Sequence, residues 1–125
     1  MSNEYNNELI VTIVKRGWSE QVLTAARRAG AEGGTIILGR GTGIHEVKTL
    51  LGIAIEPEKD IVLTVVPVSL TDPVLDAIVA AAELDRPGMG LAFVMPIRRI
   101  AGRVHMFRKD EAGEHEGPGV PQAPV

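Results

Sequence analysis

The stretch Ile37–Glu46, ILGRGTGIHE, places three glycines within five residues directly after an apolar run. Gly39, Gly41 and Gly43 alternate with Arg40 and Thr42. Glycine admits backbone angles that other residues resist, and successive N–H groups freed in this way can converge on an anion. Arg40, with a glycine on either side, has room to offer a planar guanidinium to phosphate oxygens. A second segment, Arg86–Gly90 (RPGMG), again sets a cation, Arg86, beside glycines, Gly88 and Gly90, with Met89 between them. Taken alone, GRGTG fits a bare turn, an anion cradle or the hinge of a mobile loop. It lacks the lysine and following helix of a P-loop and the spacing of a dinucleotide fingerprint.

Other chemistry is thin. The chain has no cysteine, which removes disulfides, thiolate metal sites and thiol nucleophiles. His45, His105 and His115 are far apart, and no acidic partner falls at ligand spacing, so no metal site is expected. No nucleophile has a base near it and no paired-carboxylate motif occurs, so no catalytic residue is assigned; Asp72 and Asp76 read as capping or solvated groups. Arg98 and Arg99 are adjacent on an expected strand and point to opposite faces, whereas Arg99 and Arg103 share one. For each, a phosphate contact competes with an ordinary ion pair.

The elements that must position these residues can be read in order. The 125 residues, 45% apolar and 23% charged, suit one globular domain. Glu8–Lys15 reads as a strand rich in β-branched residues. Ser19 offers an N-cap to a helix whose Val22, Leu23, Ala26 and Ala29 form one stripe, and Gly30 ends it. Trp18 reads as a hydrophobic staple or an interface residue. Thr35–Gly39 is the second strand. The glycine loop then runs on to a turn at Glu56–Lys59, and the third strand starts at Asp60. In the second helix Thr71 is the expected N-cap and Pro73 falls in the first turn. A last strand runs from Leu91 to Phe107, interrupted near Pro96 and Gly102. From Lys109 the chain turns to Pro, Gly and acid, and residues 109–125 read as a disordered tail.

The order β-α-β-β-α-β is the ferredoxin-like pattern, an α+β fold with two helices on one face of a four-stranded antiparallel sheet. Such a sheet should alternate apolar and polar residues if its other face meets water. Here Ile61, Leu63 and Val65 alternate with Val62, Val66 and Val68, so both faces are apolar. Another copy of the chain, or a covering segment such as residues 44–56, must bury the second face. A net charge of −3 gives no reason to expect nucleic acid.

On these residues the chain resembles the PII signalling family over Glu8 to about Val104. IVKRGWSEQVLTAARRAGAEGGTI is similar to the family's first strand and helix, GRGTG falls where its T-loop begins, and AAELDRPGMGLAFVMPI falls at its nucleotide-binding B-loop. Gly39, Arg40, Gly43, Gly88 and Gly90 match the family pattern, and Arg86 stands at a basic position. Gly41 and Thr42 replace a glutamine and a lysine, Met89 an aspartate, and Leu91 a phosphate-gripping lysine. Gly102 and Val104 occupy the positions of two arginines, which Arg103 meets only with a one-residue shift. The loop is short and contains no tyrosine to uridylylate.

The resemblance implies a homotrimeric, cytoplasmic regulatory protein without enzymatic activity, its domain covering residues 1–108 with a flexible loop at about 41–55. It implies an adenine nucleotide bound between subunits by Gly39, Arg40, Gly41, Thr42, Gly43, Arg86, Gly88, Met89, Gly90, Arg99 and Arg103. Fewer phosphate-binding cations favour ADP or AMP over ATP. Bicarbonate at Thr42 and the loop N–H groups is a further implied ligand. The loop would then control a protein target, a membrane transporter or an enzyme. Two alternatives stay open: a ferredoxin-like trimer with a structural or metal-related role, and a small enzyme using the interface cleft.

Overall fold

The structure, a computed structural model, describes residues 6–42, 48–55 and 57–102. Runs of β-branched residues form the two central strands, β1 (Asn7–Lys15) and, later in the chain, the strand Glu58–Pro67. After β1, Gly17 takes a φ of +101° in a tight turn, closed by the Trp18 N–H donating to the Lys15 carbonyl at 3.2 Å. Helix α1 (Ser19–Arg28) follows. Its N-cap is Trp18, not Ser19, and no side chain caps it; Trp18 packs instead against the core. At its other end Gly30 has a φ of +121°, and Gly30 and Ala31 donate back to the Arg27 and Ala26 carbonyls, a Schellman closure. Val22, Leu23 and Ala26 are the buried stripe that the spacing predicts.

Strand β2 (Thr35–Arg40) leads into the glycine segment. The stretch expected to be a loop contains a hairpin, β3 (Lys48–Leu50) with β4 (Ile53–Ile55). Leu51 and Gly52 turn it with φ of 53° and 82°. Two successive positive angles are what a tight two-residue hairpin turn demands. Leucine at the first of them concealed the turn from the sequence reading. Strand β5 (Glu58–Pro67) begins two residues before the expected Asp60.

Helix α2 (Val68–Ala81) starts directly after β5, with Pro67 as N-cap. Thr71 is therefore not the cap. It is buried inside the helix, and its hydroxyl donates to Glu8 Oε1 at 2.6 Å. Pro73 is the sixth helical residue rather than a first-turn one. Its ring lacks the N–H that the Ser69 carbonyl would accept, and Ser69 is exposed, where water can serve that carbonyl. Glu83, at φ 57°, closes α2 as Gly30 closes α1. Strand β6 (Gly90–Ile97) completes the sheet and ends just past Pro96.

The main sheet has the order β2-β5-β1-β6, with every neighbouring pair antiparallel. This is the ferredoxin-like arrangement expected from the element order. Ile10, Val14, Val62 and Val66 face the helices and meet Val22, Leu23, Ala26, Val74 and Ile78 in one core. The registers place Leu9, Val11 and Ile13 of β1 beside Leu63, Val65 and Ile61 of β5 on the opposite face, with Ile37 of β2 and Leu91, Phe93 and Met95 of β6 at its flanks. The flanking residues are open: Ile37 is 45% exposed, Leu91 52%, Phe93 41% and Met95 48%. The β3–β4 hairpin forms a separate two-stranded sheet and leaves these residues uncovered.

Candidate functional site

The sheet register decides how the two glycine segments relate. Gly39 pairs with Lys59, Lys59 with Lys15, and the neighbouring Val14 with Gly90. Both segments thus sit at the same end of the sheet. They sit on opposite edges of it, because β2 and β6 are the outer strands. Three strand spacings separate them, about 14 Å. Within one protomer they cannot close on one small ligand. Two copies laid edge to edge can bring the segments together.

Each glycine has a different reason to be there. Gly39 has an ordinary strand conformation, and a Cβ added to it would come within 3.2 Å of Ile61 Cδ1. Gly41 meets nothing within 4 Å and has no positive φ, so the protomer itself does not require a glycine there. Neither of these two residues uses the left-handed angles expected of an anion cradle. The Gly41 N–H donates to the Pro57 carbonyl at 3.1 Å and ties the segment to β5. Arg40 and Thr42 are exposed; Gly43 lies outside the described residues.

The second segment is built differently. Arg86 donates its N–H to the Glu83 carbonyl at 3.0 Å, and Met89 donates to the Arg86 carbonyl at 3.3 Å. Gly88 and Gly90 take φ of 83° and 133°. A Cβ on Gly90 would lie 2.2 Å from the Ile13 carbonyl oxygen, so the close approach of β6 to β1 already requires glycine. The Arg86 guanidinium is engaged with the Glu83 carboxylate. Arg98 and Arg99 lie beyond the end of β6 and are both exposed, so the expected alternation of faces does not apply to them. Arg103 lies outside the described residues.

Three charged residues at this end escaped the sequence reading. Arg16 Nη1 donates to Glu58 Oε1, across from Arg40, and Glu58 raises the Arg16 pKa further above its ordinary value through that hydrogen bond and its charge. The buried Asp60 accepts the Gly17 N–H at 3.0 Å and fixes the β1–α1 turn. No cluster of three or more metal-ligating side chains occurs among the described residues, and no helix there is long and apolar enough to cross a membrane.

The family model of the nitrogen regulatory protein P-II matches residues 7–108. The chain belongs to the P-II family. This P-II protein is thereby a regulatory protein of that type. Among solved structures it is similar to Arabidopsis thaliana PII bound to citrate, with 24% identity and a TM-score of 0.60 over 74% of this chain and 78% of that one. It is also similar to a Bacillus cereus protein related to NIF3, with 24% identity and a TM-score of 0.57 over 76% of this chain and 26% of that one. These likenesses show the fold. No curated protein matches this P-II chain in sequence.

Proposed function

We propose that this P-II protein works as a homotrimer that binds an adenine nucleotide between subunits and couples its binding to the Gly41–Ile55 region. The observation that carries this reading is the position of the two glycine segments at one end of the sheet but on opposite edges. The apolar face beside them, with Ile37, Leu91, Phe93 and Met95 exposed at its flanks, supports assembly, since contiguous exposed apolar residues mark interaction sites. The ligand would meet Gly39–Gly43 of one subunit and Arg86–Gly90 of the next, with Arg99 and Arg103 as further cations.

ADP or AMP is favoured over ATP. Leu91 stands where the resemblance implies a phosphate-gripping lysine, and it pairs with Ile13 on the apolar face. The Glu83 carboxylate already offsets part of the Arg86 charge that a phosphate would meet. The citrate on the Arabidopsis relative supports a small-anion ligand for this fold and makes citrate a necessary comparison, beside bicarbonate. Ligand binding would then order or release the hairpin region and present it to a protein target, a transporter or an enzyme.

Calorimetric titration with AMP, ADP, ATP, citrate and bicarbonate tests the ligand. Tighter binding of ADP or AMP than of ATP supports the reading. No adenine-nucleotide binding at millimolar concentration contradicts it.

A further inference from the structure

The sheet end that carries the glycine segments also carries a row of three charges. Arg40 of β2 is the register partner of Glu58 of β5. On the other side of Glu58, the Arg16 N–H donates to the Glu58 carbonyl at 3.2 Å and continues the ladder past the end of β1. Residues directly opposite one another across strands share a face and lie within side-chain reach. The Glu58 carboxylate therefore has a guanidinium on either side. It pairs with Arg16. Arg40, although it is the direct cross-strand partner, forms no ion pair among the described residues.

A carboxylate turned toward Arg40 would compete with any anionic ligand for that guanidinium. We propose that Arg16 is a positioning residue: it holds Glu58 away from Arg40 and so leaves Arg40 to an anionic group, phosphate or carboxylate, arriving at the Gly39–Thr42 segment. Arg16 itself does not touch the ligand. The row carries two positive charges and one negative, and Arg16 decides which guanidinium the negative charge cancels. This inference rests on the ligand-binding reading above, but its structural half can be tested without any ligand.

The ligand-free structure of Arg16→Ala is the first test. The Glu58 carboxylate is expected within ion-pair distance of Arg40; a carboxylate left in solvent overturns the proposal. Titrations with ADP and with citrate are the second, each on the parent, Arg16→Ala, Glu58→Gln and the double variant. Because the competing contact is exposed, Arg16→Ala should weaken binding by only about two- to fivefold. The double variant should return to the parent affinity or better. A loss that persists in the double variant would assign Arg16 to the ligand, and no loss in Arg16→Ala would leave it without a role; either result overturns the proposal. Effects with ADP alone identify the anionic group as phosphate, and effects with citrate alone identify it as carboxylate. If neither binds the parent, the nucleotide reading fails, and the Arg16→Ala structure alone decides whether Arg16 holds Glu58.

Discussion

Gly41 and Gly90 look interchangeable in the sequence and are not. Gly90 has no room for a methyl group, because the Ile13 carbonyl oxygen would lie 2.2 Å from it, and its φ is +133°. Strain and overpacking of this kind each cost about 1–3 kcal/mol. Gly90→Ala is therefore expected to lower stability by at least about 2 kcal/mol in urea unfolding, with or without ligand. Valine at this position would report on folding before it reported on binding. Arg40→Ala should behave in the opposite way. Its side chain is exposed and makes no ion pair among the described residues, so stability should stay within about 0.5 kcal/mol of the parent. Adenine-nucleotide affinity should fall roughly ten- to a hundredfold, as expected for loss of a hydrogen bond to a charged group. Urea melts and calorimetry on the two variants separate the folding glycine from the binding arginine.

At the scale of elements, the strands and helices were legible because their signals are periodic. The stripe Val22, Leu23, Ala26 and the two-sided apolar run of β5 lead directly to the observed packing. Caps were less legible. Ser19 and Thr71 are suitable capping residues, yet each helix begins one or more residues earlier, with Trp18 and Pro67 at the N-cap positions and no side-chain cap. Thr71 spends its hydroxyl on Glu8 instead. The hairpin turn was hidden because leucine is an unusual residue at φ 53°. Half of the candidate site was legible as glycine spacing. The Arg16–Glu58–Arg40 row was not, because only strand register brings residues 16, 40 and 58 together.

The hairpin yields a prediction of its own. A two-stranded sheet by itself is marginal in water, and Leu51 is 93% exposed at a left-handed angle. Amide exchange over Lys48–Ile55 should be far faster than over Ile61–Val66 in the ligand-free protein. Leu51→Asn should slow it, because asparagine tolerates that angle. Equal protection of the hairpin and of β5 would contradict the expected mobility.

For the whole molecule, the decisive feature is the sheet face that the helices do not cover. Leu63 lies at its centre, between Val11 and Thr35, whereas Val62 points into the core and is fully buried. Leu63→Glu should therefore dissociate the assembly without unfolding the protomer. Light scattering should give a trimer for the parent and a monomer for the variant at micromolar concentration, with far-ultraviolet circular dichroism unchanged. A monomeric parent would remove the basis for a site between subunits. Phe93→Glu, at the flank of the same face, guards against a local folding defect at position 63 and should give the same result.

Assembly and ligand binding meet in one experiment. If the two glycine segments form a single site only across a subunit boundary, dissociation must abolish binding even though every ligand-contacting residue is still present. The direct measurement is calorimetric titration of ADP into the parent and into folded, monomeric Leu63→Glu. One ADP per subunit is expected in the parent, and no measurable binding to the monomer. Equal affinity in the two proteins would place the site within one protomer and contradict it.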